Sequence, residues 1–405
     1  MEQRQIKGME IVKTLGKYIK PTEDGWIVPS QSNNGNYSVN QEFVCTCPDC
    51  QTRNVTCKHA FAVRYYLQAE QNTPEGVKVE RVRLTYKQAW KAYDAAQTTE
   101  IHEFDRLLAD LVKEVEEPEY TFGRPTLPVQ EQVFCAVQKV YSQLSCRRAV
   151  SLFGNAVQNG QIKHQPHYGS TAKFLNREDV TPILQHLVAI SAAPLKAVET
   201  DFAVDSTGFR TTCFTQYAEE KYSLGRHHDW LKAHAIVGTK TNVIAGIEVT
   251  DSNGADSPQF PGLVAKIANN GFNINEISAD KAYSGRDNYH AVADVGGQAY
   301  IPFKKNAKGL KRGSMLWAKM FHFFNFHADE FYEHYHKRSN VESTFAAIKK
   351  KFGDGLKSKN RTAQINELLC KVIAYNMTVV IQEMNELGIK PDFCSLSPAG
   401  VPNVA

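Results

Sequence analysis

The stretch "VCTCPDCQTRNVTCKHAFAV" crowds Cys45, Cys47, Cys50 and Cys57 into thirteen positions and is followed at once by His59. The other five cysteines, Cys135, Cys146, Cys213, Cys370 and Cys394, are scattered. That distribution argues against a secreted disulfide framework and for a local metal site in a reducing compartment. Cys45-x-Cys47 and Cys57-x-His59 together offer three thiolates and an imidazole. This is a closed tetrahedral set for one zinc ion, structural because no coordination position remains for water. Cys47-x-x-Cys50 could supply ligands in a different set of four; Cys50 reads instead as a spare thiol. Before the cluster, "GWIVPSQ" and "NYSVNQEFVC" alternate as two strands around the turn-forming "NNGN". After it, "CKHAFAVRYYLQA" reads as a helix, so a zinc-binding hairpin and helix module fills residues 1–75.

A chain of 405 residues exceeds one core of ordinary size, so further domains are expected. Hydrophobic content of 42% and charged content of 22% fit a soluble globular class. No signal peptide and no membrane span are expected, because no apolar run is long enough. The net charge of +4 is modest, but basic residues cluster at 302–313 and 349–353, and clusters matter more than totals. Helical patterns over 76–120 suggest a helical linker running into the Pro/Gly-bearing 117–128. Residues 121–198 suggest short helices at 129–143, at one opened by Ser145, and at 170–177 capped by Ser170. Polar turns between them suit a helix-turn-helix-like DNA-binding region. From 199 to 360, strands, a Gly-capped helix and further strands predict a mixed α/β sheet. A last amphipathic helix at 362–388 lies in a C-terminal segment, 361–395, expected to pack on the sheet domain.

Three acids stand out there. Asp205 in "AVDSTG" and Asp280 in "ISADKAYSG" end apolar strands, and Glu342 lies on the predicted helix "YHKRSNVESTFAAIKKKFG". Strand ends are where catalytic ligands are often mounted. Converged carboxylates raise one another's proton affinity unless cations neutralise them, and oxygen ligands favour Mg²⁺ or Mn²⁺. Two such ions roughly 4 Å apart suit phosphodiester chemistry. On one continuous helix, Tyr335, Arg338, Glu342 and Lys349 fall within about 60° of one another. Arg338 and Lys349 could then hold phosphates and Tyr335 could stack on a sugar or base, although Arg338–Glu342 also has the spacing of a surface salt bridge. Asp201, on the same strand face as Asp205, is a rival first acid. His227, His228, Asp229 and His234 read as hydrogen-bonding or DNA-contacting residues, not as a zinc site.

"VDSTGF", "ADKAYSG" and Tyr-x-x-Arg-x-x-x-Glu with Lys seven residues on, in that order, resemble the DDE transposases of bacterial insertion sequences, in the class with the YREK signature. The resemblance covers roughly residues 121–385. It implies an RNase H-like catalytic domain, with Asp205, Asp280 and Glu342 as the acids holding two Mg²⁺ (or Mn²⁺). It also implies Tyr335, Arg338 and Lys349 as contacts to transposon-end DNA. Some relatives insert a large β-rich domain between the second Asp and the Glu, with a tryptophan that stacks on a flipped base. The interval here is too short for it, and Trp317 is expected to pack against Phe321 or Phe324. The zinc motif, over residues 24–70, resembles the SWIM zinc finger, which is associated with both DNA and protein binding. Lys304 and Lys305 in the basic loop and Arg124 in a minor-groove-like arm are further candidate DNA contacts. The implied function is a cytoplasmic, nucleoid-associated DNA transposase acting as a homodimer on paired element ends and target DNA. A domesticated DNA-binding or regulatory protein and a nuclease without strand transfer are the alternatives.

Overall fold

The computed structural model describes residues 3–391 and 393, apart from 23, 32–34, 54, 72–88, 120–121, 124–125, 212–229 and 310–312. The chain forms two units, Met1–Lys87 and Gln88–Ala405. In the first, helix α1 (Gln3–Leu15) precedes three antiparallel strands, β1 (Lys20–Thr22), β2 (Gly25–Pro29) and β3 (Asn36–Asn40). The expected hairpin is β2–β3; β1 and α1 are additions. β1 is only "KPT" and fully exposed, so no period-2 pattern announced it. Helices α2 (Pro48–Arg53) and α3 (Lys58–Gln71) follow. A Cβ at Gly8 of α1 would stand 2.7 Å from the Phe61 Cβ of α3, so glycine permits the close crossing of the two helices. Ile11, Ile19, Val28, Val39, Ala60, Ala62 and Val63 share a small core with Cys45, Cys47 and Cys57.

The second unit opens with α4 (Trp90–Leu111), a continuous helix that buries Phe104, Leu107, Leu108 and Leu111. It is not a spacer: the Phe104 ring stacks on Tyr141 at 3.7 Å, and Glu100 accepts from Tyr141 Oη and from Lys351 Nζ. Helices α5 (Val129–Ser142), α6 (Cys146–Gln158), α7 (Tyr168–Leu175) and α8 (Val180–Ala192) come next. Ser145 caps α6 by accepting from Arg148 N. α7 starts earlier than Ser170 predicts, because the extended His167 accepts from Gly169 N through Nδ1 and takes the cap position. α5 is enclosed by the core of the unit, with Val133, Phe134, Ala136 and Val137 fully buried, so it does not stand apart in a separate DNA-binding module.

Five strands follow: β4 (Asp201–Arg210), β5 (Trp230–Gly238), β6 (Ile244–Asp251), β7 (Glu276–Ala279) and β8 (Gln298–Tyr300). Their order is β6-β5-β4-β7-β8, antiparallel on the β5–β6 side and parallel from β4 to β8. Helices α9 (Phe260–Asn269) and α10 (Arg286–Asp294) make the crossovers, as parallel pairing requires. After β8 come α11 (Met315–Phe326), α12 (Ala328–Tyr335), a 3₁₀ turn at His336–Arg338, α13 (Ser339–Phe352) and α14 (Arg361–Glu386). The single long helix predicted through 335–353 is therefore interrupted. The tighter turn advances the downstream positions by roughly 60°, so Tyr335, Arg338, Glu342 and Lys349 still share a sector. Gly353, at φ +76°, ends α13.

α14 is buried almost all round, not amphipathic on a surface. Its polar residues cap other elements: Asn376 bonds both the N–H and the C=O of Ile244, Glu367 accepts from Lys357 N and Ser358 N, and Lys371 donates to Gly353 O and Gly355 O. Among the described residues, no helix is long and apolar enough to cross a membrane.

Candidate metal centre and acidic cleft

In the first unit, Cys45, Cys47, Cys57 and His59 are all buried, and one ligand atom from each lies within 4.8 Å of every other. A tetrahedral zinc site with bonds of about 2.3 Å needs ligand atoms roughly 3.8 Å apart, so the set fits. His59 Nε2 is buried without a hydrogen-bond partner, and the ring packs at 4.8 Å against Tyr37. Crowding divides the thiols: Cys57 is held well below the usual thiol range by the Cys45 sulfur, and Cys45 is pushed up. A cation relieves that conflict by taking all the sulfurs as thiolates. Cys50 stands outside the four; its Sγ accepts from Cys45 N at 3.4 Å. Of the basic residues nearby, Arg53 pairs with Asp49, and Arg64 lies 4.8 Å over the Phe43 ring.

In the second unit, the parallel register pairs Val204 with Ala279, which sets Asp205 and Asp280 beside each other where β7 stops and β4 continues. Adjacent strands stand about 4.8 Å apart. Asp280 is half-buried and caps the turn after β7, accepting from Ala282 N at 2.5 Å. Glu342 lies in the first turn of α13, 60% exposed, and reaches the pair through Arg338. Arg338 Nη1 donates to Glu342 Oε1 at 2.6 Å and Nη2 donates to Asp205 Oδ2 at 2.9 Å. The expected i, i+4 pair thus exists, with a second branch across to β4.

Burial pushes the Asp205 carboxyl above its usual range; Arg338 opposes the shift, while Asp280 and Glu342 add to it. The three acids therefore stand near one another, Asp280 beside Asp205 through the strand register and Glu342 across Arg338. They are not gathered as tightly as the thiols: among the described residues only the cysteine and histidine set has all its ligand atoms within 4.8 Å. Two cations roughly 4 Å apart, each about 2.1 Å from its oxygens, can join carboxylates up to about 8 Å apart. The all-oxygen donor set is compatible with such a pair.

Tyr335 packs among Phe331, Tyr332 and His336. Burial raises its pKa, so the phenol remains a hydrogen-bond donor. Lys349 Nζ donates to Thr207 Oγ1 at 2.6 Å beside the Phe209 ring, and burial lowers its pKa. Exposed Lys304 and Lys305 follow β8 at the same end of the parallel strands as Asp205 and Asp280. Arg124 lies outside the described residues, as do His227, His228 and Asp229. His234 is buried; its Nε2 is 2.9 Å from Thr250 Oγ1, and burial holds its pKa down. Trp317 is also buried. It packs edge-on against Phe303 and Tyr289 in place of Phe321 or Phe324, and its Nε1 donates to Lys308 O. It offers no face to a base.

Asp201 is the first residue of β4, four before Asp205, and Lys337 Nζ donates to it at 2.6 Å. Sequence reasoning weighed Asp201 but missed Lys337, Glu276 and His334. The signal was the repeated spacing in "DFAVD" and "EISAD", an acid four residues before each strand-end aspartate.

Residues 196–377 match the family described as Transposase DDE domain. Over 186 residues the chain is 25% identical to a probable transposase for the insertion sequence element ISA1214 of Archaeoglobus fulgidus. That match covers 46% of this chain and 55% of the relative, so the chain spans about half the length of the curated protein it resembles. A piggyBac transposase synaptic complex with hairpin DNA, seen by cryo-electron microscopy, aligns with 76% of this chain and 78% of its own at 10% identity and a TM-score of 0.35. At that level the likeness fixes neither fold nor function.

Proposed function

We propose that the chain is a DNA transposase that cleaves phosphodiester bonds at element ends and joins the freed 3′ hydroxyls to target DNA. The observation that carries this is the register-matched pair Asp205 and Asp280, with Glu342 joined to it through Arg338, inside the segment that matches the transposase DDE domain. The strand order β6-β5-β4-β7-β8 supports an RNase H-like reading of the sheet. The spacing of Tyr335, Arg338, Glu342 and Lys349 supports the YREK class. The three acids would hold two Mg²⁺ or Mn²⁺, which supply Lewis acidity at the phosphorus and activate the attacking oxygen.

The chain's own residues do the rest. The guanidinium of Arg338 offers a forked donor set to a phosphate, and the neutral phenol of Tyr335 offers one more hydrogen bond. Lys349 lines β4 beyond Asp205, and Lys304 and Lys305 add positive charge beside the strand ends. Cys45, Cys47, Cys57 and His59 would hold one structural zinc in a SWIM-like module. Two scissile ends require two clefts, so a homodimer on paired ends is the working assembly.

The test uses DNA from the flanks of the coding region with Mg²⁺, uncut to score cleavage and pre-cut to score joining. Wild type yields joined products, whereas Asp205→Asn, Asp280→Asn and Glu342→Gln bind the DNA without cutting or joining it. Cleavage without joining by wild type would favour a nuclease, and undiminished cleavage by any of the three variants would remove that acid from the role.

A further inference from the structure

β4 carries Asp201 and Asp205, four residues apart and therefore on one strand face, and β7 opens with Glu276, four residues before the Asp280 that follows its last residue. Asp205 and Asp280 face the cleft. Asp201 and Glu276 are register partners at the start of the same two strands, and the chain entering α13 closes over them. Lys337 Nζ donates to Asp201 Oδ2 at 2.6 Å and also to Glu276 Oε1. His334 Nδ1 faces Glu276 Oε2 at 2.6 Å, and the Tyr300 ring of β8 stacks on the His334 ring at 4.3 Å. Asn275 Nδ2 occupies the other Asp201 oxygen at 3.0 Å. Glu276 is 5% exposed, so this network is not an exposed ion pair of negligible worth.

Lys337 and Arg338 are consecutive residues of the 3₁₀ turn, yet one reaches the first residue of β4 and the other its middle. We propose that Lys337 is a positioning residue for the acidic cleft. By bridging the first residues of β4 and β7 it fixes the turn, and with it Arg338 and Glu342, at a set height over Asp205 and Asp280. Glu342 is 60% exposed, so its placement depends on the backbone beneath it. Metal–oxygen bonds tolerate shifts of only a few tenths of an ångström, and a misplacement of about 1 Å is costly. The inference rests on reading the cleft as a divalent-cation site.

Calorimetric titration of Mn²⁺ into the full, zinc-loaded chain without DNA tests it. Lys337→Met lowers Mn²⁺ affinity by about tenfold or more, while Lys337→Arg, whose fork can bridge two carboxylates, restores it to within about threefold. Because Lys337→Met strands two carboxylates and can unfold the unit, the triple variant Asp201→Asn, Glu276→Gln, Lys337→Met is measured beside it. Folded by its melting curve, the triple variant shows the same loss. Wild-type Mn²⁺ affinity in either folded variant overturns the positioning role alone, provided Asp205→Asn weakens binding. If Asp205→Asn binds Mn²⁺ as wild type does, the cleft is not the cation site, and both readings fall.

Discussion

Replacing Arg338 with glutamine should tighten divalent-cation binding to the DNA-free chain while lowering DNA cleavage. The guanidinium sits between Asp205 and Glu342, where it serves as a built-in counter-ion. Its side chain and that of Asp205 are 20% and 18% exposed, so this branch is only partly screened. The branch to Glu342, itself 60% exposed, contributes under about 1 kcal/mol. An entering divalent cation about 5 Å from the guanidinium would meet a repulsion of roughly 2–7 kcal/mol for effective dielectrics between 80 and 20. Outward rotation of the arginine relieves most of this, which leaves the low end. Its removal should therefore strengthen Mn²⁺ binding by about 1.4 kcal/mol or more, a factor of about ten. The same titration that tests Lys337 reads it, and the two neighbouring residues are predicted to move affinity in opposite directions. Equal or weaker Mn²⁺ binding by a folded Arg338→Gln protein would refute the counter-ion argument.

Burial, with Glu386 and Glu199 nearby, pushes Glu383 up to about 7. A carboxyl raised on folding leaves stability intact below its unfolded pKa and erodes it as pH rises through the folded value. Glu383→Gln should thus raise Tm at pH 8 by a few degrees, worth about 1–2 kcal/mol after allowance for hydration, and change little near pH 4.5. Proton competition at Asp205, whose pKa is raised, should weaken Mn²⁺ binding on acidification from a pH above the usual carboxylate range, seen by titration across pH. Cys57→Ser should abolish the proposed zinc binding and expose residues 3–71 to protease, since a structural zinc supplies roughly 10–16 kcal/mol. Cys50→Ser should retain one zinc per chain by metal analysis.

The candidate aspartates and the buried Cys45, Cys47, Cys57 and His59 cluster are visible in the sequence because each is a local pattern: an apolar run followed by aspartate, or cysteines at ligand spacing. Register then did what sequence could not state, placing Asp205 beside Asp280 through the Val204–Ala279 pairing. The misses are tertiary. Nothing local in "YHKRSN" marks a 3₁₀ turn, which coincides with Lys337 reaching Asp201 while Arg338 reaches Asp205. α14 looked amphipathic because its buried face carries Asn366, Glu367, Lys371 and Asn376, whose partners are the end of α7, the backbone that follows α13 and the Ile244 amide of β6. α4 looked like a linker because its apolar positions meet residues such as Tyr141 that only folding brings near.

The most direct measurement is strand transfer in vitro: purified chain, Mg²⁺, pre-cut DNA from the flanks of its coding region and a supercoiled target. Joined products from wild type, and none from a folded, DNA-binding Asp280→Asn protein, are the predicted result. Joining that proceeds undiminished without the Asp280 carboxylate would contradict the claim that Asp205 of β4 and the Asp280 that follows β7 carry the chemistry.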